Sequence, residues 1–200
     1  HKQDGSSMGY QRSSKYKLIF VHVPKTAGMS INKALDGTGA GHTTLSEIKQ
    51  STEPSIYNTH KKFVVIRHPY DRFVSLYRFK IKTGMEGSGT PNFEDWFWSI
   101  RNQIYLKCSP PAQMKSCYDI CTVDGKLDVD YTLRFEHLES DWNDMFEVLG
   151  HKAPLLPKIN TTKSEHYSTY FDCKTGYEMK KYLYDVFQKD FEEFGYDPEL

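Results

Sequence analysis

The chain has 200 residues, with 26 Lys plus Arg against 26 Asp plus Glu and a formal net charge of zero. That balance argues against a sequence-independent nucleic-acid binder or a polybasic membrane-surface protein, so any anion site must be local. No apolar run approaches the roughly 20 residues of a membrane helix, and the length predicts one domain burying about 70% of its unfolded surface.

In chain order, residues 1–14 are polar, contain Gly and Ser and lack periodicity, so they are set aside as a tail before a domain spanning 15–200. Residues 17–23 (KLIFVHV) and 61–67 (KKFVVIR) are β-branched and aromatic runs ended by Pro24 and by His68-Pro69, the pattern of buried strands. Helical patterns follow each at once, over 29–35 and over 70–81, where Phe73, Leu76, Tyr77 and Ile81 share a face. Strand, tight loop, helix, twice over, predicts an α/β fold with a parallel sheet.

Between these units, 37–41 reads as a glycine-rich turn and 43–49 as a short helix. Thr90, Pro91 and Asn92 announce a helix carrying Phe93, Trp96, Phe97 and Ile100, with proline at or near its first turn. Residues 102–126 read as irregular. A third strand over 129–135 leads into a helix with Leu138, Trp142, Met145, Phe146 and Leu149 on one face and Gly150 at its end. The last helix opens on a capping-box pattern, Thr175 with Glu178, and carries Met179, Leu183, Phe187, Phe191 and Phe194 in one stripe.

Cys108, Cys117, Cys121 and Cys173 are too few for a disulfide scaffold. Three of them cluster, which suits a loop-pinning disulfide or structural thiols, and their spacings do not match paired zinc ligands. The redox compartment stays open.

The junction between first strand and helix, HVPKTAGMSI, places Lys25, Thr26, Ala27, Gly28, Met29 and Ser30 where uncompensated helix N–H groups gather. Lys25 adds a charge there, and the Thr26 and Ser30 hydroxyls add donors. Taken alone, PKTAG reads equally as a tight turn with a solvated lysine. It also departs from G-x4-G-K-[ST], because Lys25 precedes the nearby glycine Gly28, which disfavours a magnesium-dependent kinase. At the second junction Arg67 ends the strand and Ser75 lies eight residues on, in the second turn of the helix and on the face of Asp71 and Arg72. A guanidinium beside a hydroxyl suits a second phosphate.

Together the loops resemble the nucleotide-binding signatures of sulfotransferases that use 3′-phosphoadenosine 5′-phosphosulfate (PAPS). The resemblance is closest to the carbohydrate (heparan sulfate-type) enzymes of the Golgi and their bacterial relatives, and it extends from about Leu18 to Tyr196. It implies a three-layer, P-loop-like fold with a central parallel sheet flanked by helices. It also implies that Pro24 to Ser30 hold the 5′-phosphosulfate and that Arg67 and Ser75 hold the 3′-phosphate. Further landmarks are GHTTLSEI and DYTLRFEHLESDW, and PKINTTKSEHY resembles a loop closing over the nucleotide through Lys163 and Ser164. Met29 departs from the threonine or serine usual in the family.

The activity so implied is sulfuryl transfer from PAPS to a hydroxyl acceptor on a carbohydrate, with no metal required and Lys25 stabilising the leaving oxygen. A histidine would serve as base. His42 sits where related heparan sulfate enzymes carry theirs, and His60, before the second strand, is the competing candidate. His22, inside the first strand, reads as a core histidine, and His68 as shaping the turn before Pro69. Residues 102–126, with Gln103, Tyr105, Gln113 and Tyr118, are the expected acceptor wall, and of Trp96 and Trp98 one should pack inward while the other could stack on a sugar. The alternatives are a P-loop-like small-molecule kinase and a nucleotide- or glycan-binding module without turnover.

Overall fold

The computed structural model describes residues 11–35, 41–84, 91–105, 114–157 and 165–200, with the backbone alone over 102–105. The chain divides into two compact units, His1–Ile66 with Asp119–Asn160 and Arg67–Tyr118 with Thr161–Leu200.

The first unit is built on a sheet of β1 (Gln11–Ser13), β2 (Leu18–Val21), β3 (Lys61–Ile66) and β6 (Tyr131–Arg134) in the order β1-β2-β3-β6. Strands β2, β3 and β6 run parallel, with Leu18 opposite Lys61 and Ile66 opposite Arg134. Alternation along the strands sends Leu18, Phe20, Phe63, Val65 and Leu133 to one face, where they pack with Ile31 and Leu35 near α1 (Gly28–Ala34) and with Trp142, Met145 and Phe146 of α7 (Leu138–Leu149). Ile19, Val21, Val64 and Ile66 point the other way and are equally buried. Burial on both faces is what continuous apolar runs such as LIFV and FVVI dictate in a parallel sheet. Each fully buried side chain of this kind stabilises the fold by about 1.5–3 kcal/mol.

Two short helices, α2 (Leu45–Ser51) and α3 (Pro54–Thr59), lie between α1 and β3 in sequence. Thr44 and Glu47 close a reciprocal capping box at the start of α2. Helix α7 ends as its sequence predicts, with Gly150 left-handed at φ 75°.

The expected tail ends earlier than Ser14. Residues Gln11 to Ser13 form an edge strand antiparallel to β2, with Gln11 and Ser13 buried. The pairing uses main-chain groups, so the side chains of QRS carry no strand pattern.

The second unit is helical and aromatic. Helices α4 (Pro69–Lys82), α5 (Phe93–Tyr105), α8 (Gly176–Val186) and α9 (Gln188–Phe194), with a 3-10 turn at Tyr167–Phe171, enclose Tyr70, Phe73, Trp96, Phe97, Phe171, Met179, Leu183 and Phe191. Pro91 falls just before α5, where the Asn92 side chain accepts from the Asp95 N–H at 2.8 Å.

Two expectations are corrected. The last helix is broken at Phe187 into α8 and α9, and Thr175 makes no capping bond. Its hydroxyl instead donates to Glu94 at 2.9 Å and accepts from the Trp98 indole at 2.8 Å, tertiary partners that outcompete the local cap. The segment taken as irregular also holds order: α6 (Cys117–Ile120) and a hairpin of β4 (Thr122–Val123) and β5 (Lys126–Leu127). In α9 the buried Asp190 carboxylate accepts the N–H groups of Cys117 and Tyr118, each at 2.9 Å, fixing the start of α6 from a distant part of the sequence.

Among the described residues no helix is long and apolar enough to cross a membrane, and no group of three or more His, Cys, Asp or Glu side chains is placed to hold a metal ion.

Candidate active site

The first junction leaves β2 at Val21, passes Pro24 and enters α1 at Gly28. Two non-glycine residues in it take positive φ, Lys25 at 64° and Ala27 at 68°. Such conformations cost about 1–3 kcal/mol each and cluster where backbone geometry serves a site. Left-handed Ala27 followed by right-handed Gly28 turns successive N–H groups to one side, the nest geometry that accommodates anion oxygens. The first helical bond runs from Ile31 N to Ala27 O at 3.2 Å, so the N–H groups of Gly28, Met29 and Ser30 have no acceptor within the helix.

Side chains divide the work differently from the sequence expectation. Thr26 is fully buried and donates its hydroxyl hydrogen to Val23 O at 2.8 Å, so here it braces the loop rather than offering a donor. Ser30 is half-buried and Met29 is 87% exposed. The Met29 departure therefore removes a hydroxyl while leaving its main-chain N–H in place.

His22 is the residue that the sequence reading placed in the core. Its ring stacks on Phe20 with centroids 5.5 Å apart and lies so close to Gly28 that a Cβ there would stand 1.7 Å from His22 Nε2. Any side chain at position 28 would displace that ring, which gives Gly28 a requirement for close approach. Another neighbour of His22 is His42, with ring centroids 4.4 Å apart, and His42 Nδ1 lies 3.4 Å from the His22 carbonyl oxygen. The structure thus brings Lys25 to Ser30 and His42 into one neighbourhood through His22 and Gly28.

Burial, and then the neighbouring His42, lower the His22 pKa from 6.5 to about 4, opposed only in part by a hydrogen bond with the Gly41 backbone. The unfolded chain therefore binds a proton that the folded one refuses between those values. The stability carried by neutral His22 is complete above pH 6.5 and is lost as pH falls toward 4, by an order of 3 kcal/mol. Thermal unfolding at pH 7.5 and pH 4.5 should show a fall in Tm that is smaller in His22→Gln. Equal falls would refute the assignment.

His60 lies elsewhere. It precedes Lys61, whose partner is Leu18 at the start of β2, so it belongs to the amino edge of the sheet, whereas the Lys25 loop leaves the carboxyl edge. At about 3.3 Å per residue, the length of β3 puts it roughly 20 Å from that edge. Its pKa is lowered by burial and by the charge of Arg12, with smaller effects from Lys17 and Lys62, and its Nδ1 contacts the Thr59 hydroxyl at 3.2 Å.

In the second unit Arg67 is buried, and its Nε donates to Asp71 Oδ2 at 2.7 Å. Ser75 is half-buried on α4. His68 caps α4, its Nδ1 accepting from Tyr70 N at 3.2 Å and its Nε2 donating to Asp197 O at 2.9 Å, which fixes one neutral tautomer. Arg72 turns inward instead, donating to Lys115 O at 2.7 Å with Cys117 and Asp190 nearby. Burial pushes the Cys117 thiol well above the usual range, and this inert group contacts the Arg67 backbone. Cys117 and Asp190 carried no such signal in sequence, because their partners lie tens of residues away.

Trp96 is fully buried, and Trp98 is half-buried with its indole N–H on Thr175. Lys163, Ser164 and Gln113, with the side chains of Gln103 and Tyr105, lie outside the described residues.

A family model described as the sulfotransferase family matches residues 9–197. The chain belongs to the sulfotransferase family. The match covers the first junction, the His42 loop and the second junction alike, and the mostly parallel sheet flanked by helices is compatible with the sulfotransferase fold. Searches of curated proteins and of solved structures returned no match. Membership supports sulfuryl-group transfer as the general activity of the chain.

Proposed function

We propose that this sulfotransferase moves the sulfuryl group of PAPS to a hydroxyl of a carbohydrate acceptor by in-line displacement, without a metal ion. The observation that carries the reading is that, within one unit, the His22 ring lies against both Gly28 of the Lys25 to Ser30 loop and His42. The acceptor class rests on the resemblance of the loop and histidine motifs to carbohydrate sulfotransferases.

In the proposed reaction the acceptor oxygen forms a bond to sulfur while the bond from sulfur to the bridging phosphate oxygen breaks. The acceptor proton passes to His42 Nε2, and the departing 3′,5′-bisphosphate takes the electron pair. Negative charge growing on the bridging oxygen is met by Lys25 and by the N–H groups after Ala27, donors already fixed before the reaction. With Nδ1 turned to the His22 carbonyl, His42 would carry its proton there and keep Nε2 as the accepting nitrogen.

Arg67 and Ser75 are proposed to bind the 3′-phosphate. Nε of Arg67 donates to Asp71 Oδ2 at 2.7 Å, which orients the planar guanidinium. Arg67→Ala should weaken adenosine 3′,5′-bisphosphate binding 10- to 100-fold in calorimetric titration, the range of hydrogen bonds to charged groups. An unchanged affinity would remove Arg67 from the site.

The deciding experiment is transfer of labelled sulfate from PAPS to a panel of glycans, phenols and tyrosine peptides, beside titrations with adenosine 3′,5′-bisphosphate and ATP with and without chelator. Transfer to a glycan with metal-independent bisphosphate binding supports the reading. Magnesium-dependent ATP binding would favour the kinase, and bisphosphate binding without transfer to any acceptor a non-catalytic module.

A further inference from the structure

His22 touches both halves of the proposed chemistry and has no role in it so far. One side of its ring abuts Gly28, where no side chain fits, and another faces the His42 ring at 4.4 Å. Behind it, Phe20 stacks nearly parallel, at 21°, so the ring is held from the core side as well. Its main chain contributes separately, because the His22 carbonyl oxygen is the group that His42 Nδ1 approaches at 3.4 Å. A side chain wedged between the phosphate-facing loop and a histidine sets the spacing between them.

We propose that His22 is a positioning residue: its ring fixes the distance and tilt of His42 relative to the Gly28 backbone, and so the direction in which His42 presents Nε2 to the acceptor. This rests on the reading of His42 as the base. The ring suits the task because it remains uncharged at neutral pH, its pKa lying near 4, and so does not repel a proton arriving on His42. An aliphatic side chain of similar reach would lack the flat face that both Gly28 and His42 require. The reciprocal capping box of Thr44 and Glu47 holds the chain just after His42.

The test is a double-mutant cycle on the full chain, with His22→Ala, His42→Ala and the pair. His22→Ala should lower kcat 10- to 100-fold while leaving KM for PAPS and the affinity for adenosine 3′,5′-bisphosphate within about threefold. In the His42→Ala background the same change should cost almost nothing further, because the residue it positions is gone. His22→Gln, of similar reach and uncharged, should recover part of kcat and covers the case in which His22→Ala does not fold.

A readout without turnover is the ring 15N spectrum of His42, which should report one dominant tautomer, protonated at Nδ1, in the parent chain and a mixture in His22→Ala. A kcat within twofold of the parent in folded His22→Ala, equal losses in both backgrounds, or an unchanged tautomer would each overturn the proposal. If His42→Ala itself leaves kcat unchanged, the base reading fails first. If His42→Ala abolishes transfer and His22→Ala does not, only the positioning role falls.

Discussion

Lys25→Met is expected to lower kcat for sulfuryl transfer by a factor of 10² to 10³, with a much smaller effect on acceptor KM. The substitution keeps most of the length of the unbranched side chain and deletes its charge, so it tests chiefly the electrostatic contribution. Removal of one preorganised donor from a developing oxyanion costs about 2.7–4 kcal/mol of transition-state stabilisation in enzymes that form such charge. Lys25 fits that role because its backbone is held at φ 64° between Pro24 and the buried Thr26, a conformation the chain would not choose for a surface lysine. Steady-state kinetics with PAPS and the best acceptor of the panel would check it. A kcat within threefold of the parent would mean that the loop binds its anion through main-chain N–H groups alone.

His42→Ala is expected to reduce kcat by 10² to 10⁴, the usual contribution of a positioned general base. Nucleotide affinity should hardly move, since the proposed contacts to the phosphosulfate come from residues 25–30. His60→Ala should change kcat less than twofold, because His60 belongs to the opposite edge of the parallel strands. The pair of variants separates the two histidines that the sequence left in competition. A large kcat loss in His60→Ala, with His42→Ala active, would reverse the assignment and contradict the strand register that places them.

The positions of the strands and of the loops after them were legible in sequence because the runs LIFV and FVVI are apolar on both faces and stop near Pro24 and Pro69. Proline has no N–H to donate to the ladder, so the boundary is written locally. The helix of 138–149 was legible for a similar reason, with a 3.6-residue apolar stripe and a glycine that takes φ 75° after it.

What stayed illegible depends on partners far along the chain. Thr175 followed by Glu178 has the pattern of a capping box, yet Glu94 and Trp98 claim the Thr175 hydroxyl. The break at Phe187 has no proline or glycine to announce it. Strand β1 pairs through its main chain, invisible to side-chain periodicity.

At the site, the residue types and their order along the chain were readable, and their division of labour was not. Thr26 looked like a phosphate donor because hydroxyls in such loops often are, but its buried hydroxyl is committed to Val23. His22 looked like a core histidine because it continues an apolar strand, and alternation gives no hint of the Gly28 and His42 contacts on either side of its ring.

The measurement that bears most directly on the central claim is a crystal structure of the chain with adenosine 3′,5′-bisphosphate. The account predicts the 5′-phosphate on the N–H groups following Ala27 and on the Lys25 ammonium. A nucleotide bound away from residues 25–30 would contradict it.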